Sequence, residues 1–196
     1  RIASFAIAEN GDLVYTLIPY IGLADREVYR YRGGSVTRLA LEDGTVSHVG
    51  TDGAGVVYLR APPGGGYQVV LLTGPESLDL TSVFALSEAE YSNLQLTVVN
   101  GWTVYAQRAA GGTLQLWSRS PSGTARQVTD TGYGALAAVG PNGEAVYTLA
   151  GGNRYLLAKP PYTAAPLDVG PSGTRFKWIG DELFALWGRW AFVVSY

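Results

Sequence analysis

The sequence predicts an all-β fold: a five-bladed β-propeller of four-stranded antiparallel blades, the last of them incomplete. Three observations lead there. A phrase centred on a Val-Tyr pair recurs through the chain, as "NGDLVYTL" around Tyr15, "DGAGVVYLR" around Tyr58, "NGWTVYAQ" around Tyr105, "NGEAVYTL" around Tyr147 and, more distantly, "GDELFALW" around Phe184. These aromatics are 43, 47, 42 and 37 residues apart, the period of propeller blades. The 196 residues hold 26 glycines, well above ordinary usage of about 7%, while runs of strong helix formers are scarce.

Within each copy the elements follow one order. A first strand ("SFAIAE", "TVSHVG", "LQLTVV", "ALAAVG", "RFKWIG") ends in an Asn-Gly, Asp-Gly or Gly-Asp turn, residues that tolerate the positive φ of a tight hairpin. The second strand carries the Val-Tyr pair, and a Gly- or Pro-bearing loop leads to the third: "EVYRYR", "YQVVLL", "TLQLWSR", "RYLLAK" and "WAFVVSY". A fourth strand ("SVTRLAL", "SLDLTSV", "ARQVTD", "APLDVG") follows in the first four copies only, giving blades over residues 3–42, 43–86, 87–131, 132–170 and 171–196 of a single domain. One helical turn is expected at "LSEAEY", with Ser87 as its cap. A lone blade cannot bury both apolar faces, so blades stack face to face, with the five repeated aromatics expected between them.

Composition narrows function. A 47% hydrophobic and 15% charged chain packs a core, and a net charge of −2 without basic runs gives no nucleic-acid footprint. No apolar stretch approaches the roughly 18 residues of a membrane-spanning segment. Zero cysteines exclude disulfides, thiol nucleophiles and cysteine-ligated metals, and no cofactor is expected. Arg1 as first residue and the absence of methionine predict a processed, excised or trimmed chain, a removed signal peptide being one route. Arg outnumbers Lys by 12 to 2, a hint of a GC-rich or heat-adapted source.

The turns Pro141-Asn142-Gly143 and Pro171-Ser172-Gly173, with Leu116-Trp117 and Gln127-Val128-Thr129, give a cadence that resembles the repeat of TolB-like β-propellers. That family's turn reads Ser-Pro-Asp-Gly and its repeat ends in Leu-Thr, whereas none of these turns reads Pro-Asp-Gly. The resemblance implies the propeller fold and an exported setting: extracellular, periplasmic or cell-surface.

Catalytic chemistry finds little footing. His48 is the one histidine, in strand "TVSHVG", and no Gly-x-Ser-x-Gly elbow accompanies it, so a structural role is expected. Asp25, Glu27, Asp52, Asp130, Asp168 and Asp181 are the acids available for glycosidase chemistry, yet no pair stands out, and Asp52 and Asp181 have local turn roles. Glu42 and Asp43 read as a solvated turn.

Binding fits better. In a propeller the loops joining second to third strands share a face, which nominates Tyr20, Asp25 and Arg26 from the longest loop, Arg108, Asn153 and Arg154, and the "WGRW" turn with Trp187, Arg189 and Trp190. The bland reading of Trp187 and Trp190 is a cross-strand pair that stabilises its hairpin. The last strand, "AFVVSY", presents Phe192, Val194 and Tyr196 on an unpaired edge; a three-stranded last blade, a longer chain, or a strand contributed by a partner would each explain it. The function expected is a non-enzymatic protein-interaction module, by a protein partner or self-association. Two alternatives stay open: a carbohydrate-binding, lectin-like propeller, and the propeller part of a larger hydrolase.

Overall fold

A computed structural model describes residues 2–17 and 27–196. Within them lie five antiparallel sheets of four, four, four, four and three strands, each running strictly in chain order, the meander that makes a propeller blade. The first sheet is β1 (Ile2–Ile7), β2 (Leu13–Leu17), β3 (Glu27–Arg32) and β4 (Ser35–Leu41); the second is β5 (Thr45–Thr51), β6 (Gly55–Ala61), β7 (Gln68–Thr73) and β8 (Glu76–Asp79). Helix α1 (Glu88–Asn93) precedes the third, β9 (Thr97–Val99), β10 (Trp102–Arg108), β11 (Leu114–Arg119) and β12 (Ala125–Gln127). The fourth is β13 (Ala135–Val139), β14 (Ala145–Thr148), β15 (Arg154–Ala158) and β16 (Leu167–Pro171), and the fifth is β17 (Arg175–Ile179), β18 (Glu182–Trp187) and β19 (Trp190–Val194).

The short helix is fixed by its cap. Ser87 Oγ accepts the Glu90 amide at 3.2 Å while Glu90 Oε2 accepts the Ser87 amide at 2.8 Å, a reciprocal pair that satisfies two donors the helix start leaves free.

The chain divides into two compact units: residues 1–92 with 96–101, and residues 93–95 with 102–196. In the first unit, Val14 and Val28 of the first sheet pack against Val46, Val56, Tyr58 and Val70 of the second. In the second unit, Val146, Leu157 and Val169 of the fourth sheet meet Leu183 of the fifth, with Phe176, Trp178 and Val194 around them. Each such side chain, fully buried, contributes roughly 1.5–3 kcal/mol, so these seams hold neighbouring sheets together.

Tyr58, Tyr105 and Tyr147 are buried as the repeat requires. Tyr15 and Phe184 are only half-buried, which corrects the expectation of five equivalent core aromatics. Tyr15 lies on the face of the first sheet opposite to Val14, away from the core that Val14 joins. At Phe184 the reason is register: its neighbours Leu183 and Ala185 are both fully buried, so they face the fourth sheet and Phe184 turns the other way. A one-residue offset in a strand exchanges its faces.

Candidate binding surfaces

The exposed apolar side chains of the described residues are unevenly spread over the five meanders. Of the 17 large hydrophobic residues exposed among the described residues, seven lie in the first meander and seven in the fifth. The three meanders between them hold only Leu78, Val83 and Leu167. Scattered singly such residues need no explanation; gathered on one sheet face they mark an interaction surface.

On the first sheet, alternation places Phe5 and Ile7 of β1 opposite to Ala6, which joins the core. Register carries that outer face across the strands: Phe5 pairs Tyr15, Tyr15 pairs Tyr29, and Tyr31 pairs Val36. Tyr15 and Tyr29 stack with ring centroids 5.6 Å apart and an interplanar angle of 18°. Phe5 and Ile7 are 61% and 65% exposed. At the rim, Glu27 accepts from the Tyr29 hydroxyl at 2.5 Å and from Arg38 Nη1 at 2.7 Å. Those two hydrogen bonds, the tyrosine's first, hold its carboxyl below the usual range. The result is an aromatic face with a charged border.

The fifth sheet offers two surfaces. Its outer face carries Ile179, Phe184, Leu186 and Val193, while Trp187, Trp190 and Phe192 extend the other face beyond the part that packs on the fourth sheet. Trp187 and Trp190 are direct register partners across the Gly188-Arg189 turn, as the cross-strand reading requires, and both remain exposed, Trp190 by 73%.

Polar groups in the first unit are mostly spoken for. Asp12 is buried and receives Arg32 Nε at 2.7 Å and Arg32 Nη2, while Arg32 also reaches the Gly53 carbonyl at 3.0 Å. The arginine's hydrogen bond holds the Asp12 carboxyl below its ordinary value. Glu42 is no solvated turn: it accepts from the Tyr58 hydroxyl and from Arg60 Nη1 at 2.8 Å, its side chain 10% exposed. Arg60 Nη2 reaches Gln68 and, at 2.8 Å, Asp79. Burial, then the bond to Glu42, drives the Tyr58 hydroxyl far above its ordinary value. Asp52 caps its own turn by accepting the Ala54 and Gly55 amides and also takes the Gly101 amide at 2.8 Å. His48 packs edge-on against Tyr91 at 4.5 Å in a positive-φ bulge of β5, and burial lowers its pKa. It is a packed ring, with Ser47 as its side-chain neighbour.

The second unit holds two described cavities. A cavity of about 470 Å³ is lined by Asp130, Tyr147, Leu149, Leu156, Tyr162 and Pro166, among others. A second, of about 240 Å³, lies beside Trp102, Arg126 and Tyr162. Tyr162, itself at positive φ, donates to the Gly143 carbonyl at 2.6 Å, and burial pushes its hydroxyl up to about 12. Gly143 has to be glycine: its φ is +87°, and a Cβ there would meet the Trp102 ring at 2.5 Å.

Tyr20, Asp25 and Arg26 lie outside the described residues. Arg108 Nη1 donates to the Gly112 carbonyl across its own hairpin, and the Asn153 carbonyl accepts the Ser172 amide at 2.7 Å. Arg154 holds Asp168 through two nitrogens, Nη2 at 2.8 Å. Trp187, Arg189, Trp190 and Phe192 do come together, in the β18–β19 hairpin. Val194 packs into the core instead, and Tyr196 is engaged by Lys159 Nζ at 3.9 Å from its ring, by Trp178, and through its hydroxyl by the Asp181 carbonyl at 3.2 Å. Sequence reasoning missed the outer face of the first sheet. The signal was the run Phe5, Ile7, Tyr15, Tyr29, Tyr31, apolar at every second position across three strands.

No protein-family model matches the sequence, and no curated protein matches it. Solved structures do match in fold. TolB from Acinetobacter baumannii superposes with a TM-score of 0.58 at 11% identity, over 94% of this chain and 51% of that one. A protein assigned as TolB from Agrobacterium tumefaciens gives 0.54 at 14%, over 88% and 67%. A prolyl endopeptidase gives 0.60 at 7%, over 98% of this chain and 35% of that one. The chain thus has a TolB-like β-propeller fold and spans about half the length of the Acinetobacter protein. Among the described residues no helix is long and apolar enough to cross a membrane, and no group of three or more His, Cys, Asp or Glu side chains is placed to hold a metal ion.

Proposed function

We propose that the chain is a non-enzymatic protein-interaction module whose contact surfaces are the outer faces of its first and fifth sheets. One observation carries the reading: the exposed large hydrophobics concentrate on those two meanders. Within the chain each seam joins a Val-Leu face of one sheet to the next, so a bare face of the same make suits a partner surface that is itself sheet-like and apolar. Arg189 and the two indoles of the β18–β19 hairpin add the residue types that dominate interface energetics. The acids weighed for hydrolysis support a structural use, since Glu27 and Asp168 are tied to arginines and Asp52 to turn amides. The TolB-like fold favours an exported or cell-envelope setting, which fractionation of the natural source checks.

The test is recovery of partners on the wild-type protein and on the double variant Phe5→Glu, Leu186→Glu, both exposed positions whose change leaves the fold intact. The reading expects the recovered partner to fall at least tenfold, with the same unfolding midpoint in both proteins. Equal recovery would remove the outer faces from the account.

A further inference from the structure

The second and fourth meanders share the Val-Tyr phrase, and aligning them on it matches Tyr58 with Tyr147 and Arg60 with Leu149. The sheet register extends the match, since Tyr58 pairs Val70 and Val70 pairs Asp79, as Tyr147 pairs Leu156 and Leu156 pairs Asp168. The segment entering each meander also supplies an acid, Glu42 in one and Asp130 in the other.

In the second meander the position is filled from within. Tyr58 donates to Glu42, and the Arg60 guanidinium binds Glu42, Gln68 and Asp79. In the fourth meander the same place is hollow. Leucine replaces the arginine, and a cavity of about 470 Å³ opens between Asp130, Tyr147, Leu149 and Leu156. Tyr147 is 2% exposed and lines that cavity, and its hydroxyl makes no hydrogen bond among the described residues. That hydroxyl opens on the cavity, placed to bond with what enters it. The Asp130 carboxylate is near enough to raise the phenol's pKa, after burial, and pairs with no cation among the described residues; only its backbone carbonyl is used, by Gln115 Nε2 at 3.2 Å. Arg154, the nearest candidate on the register, is committed to Asp168.

We infer that this cavity is a guanidinium site, in which Asp130 and the Tyr147 hydroxyl receive from outside the group that Arg60 supplies internally in the second meander. A guanidinium presents five donors in one plane; the carboxylate takes two of them and the phenol oxygen accepts a third. Leu149, Leu156 and Pro166 offer apolar wall to the methylenes behind it. An ammonium on a lysine stem lacks the planar fork and should be the poorer ligand. The site is separate from the sheet faces proposed above, so either reading stands if the other falls.

The experiment is a calorimetric and NMR titration of the full chain with Nα-acetyl-arginine amide, its lysine and citrulline counterparts, and a glycine-flanked arginine peptide. The arginine amide is expected to bind at least tenfold more tightly than the lysine or citrulline compound. Tighter binding of the peptide, by tenfold or more, assigns the site to an arginine of a partner protein; equal binding assigns it to a small guanidinium compound. Asp130→Asn is expected to weaken binding at least tenfold and Tyr147→Phe about threefold, while Leu149→Arg, which rebuilds the Arg60 arrangement, should abolish it. Absence of binding by the wild-type chain, equal affinity for arginine and citrulline, or full affinity in a folded Leu149→Arg protein would overturn the inference.

Discussion

The second sheet and the first are spelled from the same phrase, yet one is sealed on both faces and the other on one. Val56, Tyr58 and Val70 lie on one side of the second sheet and Val57, Leu59, Val69 and Leu71 on the other, all buried. The first sheet buries Val14 and Val28 but leaves Phe5, Ile7, Tyr31 and Val36 exposed. In a repeat the same residue types do opposite work according to whether a neighbour follows. The fourth meander repeats the lesson inside a sheet seam, where a missing arginine leaves a cavity instead of an ion network.

The comparison can be broken most forcefully with one charge. Val57→Asp places an unpaired carboxylate in a fully buried seam and is expected to cost about 4 kcal/mol or more. Phe5→Asp, on the bare face, should stay within about 0.5 kcal/mol; urea unfolding of both measures the contrast. Next in size is Glu42→Ala, which leaves the Tyr58 hydroxyl without its acceptor and the Arg60 guanidinium with only Gln68 and Asp79, and should cost about 2 kcal/mol, whereas Asp130→Ala, with no cation to release, should be close to neutral.

A finer probe removes one oxygen at matched positions. Tyr58→Phe deprives Glu42 of a donor and should cost roughly 1–2 kcal/mol, while Tyr147→Phe loses no bond and should cost under about 0.5 kcal/mol. Equal costs would mean the fourth meander satisfies its tyrosine as fully as the second does.

Acid sensitivity distinguishes the ion pairs. Arg32 lowers the folded-state pKa of Asp12 below its unfolded value, so the pair contributes stability in full above about pH 4 and loses it as pH falls through the depressed folded value. Carboxyl NMR should find Asp12 titrating below an ordinary aspartate, and Arg32→Ala should return it toward that range and remove part of the acid dependence. The pair Arg154 and Asp168 shifts in the same direction. Both side chains are about half exposed, so Arg154→Ala is expected to change stability less than Arg32→Ala.

Much of this architecture is legible in the residues because its rules are local. Asn-Gly and Asp-Gly turns fix hairpins, alternation fixes faces, and Ser87 with Glu90 fixes the helical turn. What escapes is set by distance along the chain. Glu42 reads as a surface turn until Tyr58 and Arg60, 16 and 18 residues on, close over it. Phe184 reads as the fifth core aromatic because the phrase alignment cannot register a one-residue offset that the burial of Leu183 and Ala185 reveals. The outer face of the first sheet looks like any other apolar strand face, since alternation shows that a face is apolar and not what covers it. Among the described loop candidates, Arg108 and Arg154 turn their guanidinium groups on their own hairpins, while Trp187, Arg189 and Trp190 share the exposed β18–β19 turn.

The most direct test places a photo-crosslinking amino acid at Phe5, at Leu186 and, as a control on an inner meander, at Leu78, in cells of the natural source. Crosslinked species of discrete mass from positions 5 and 186, and none from 78, are the result the account predicts. Adducts from all three positions alike, or from none, would contradict it.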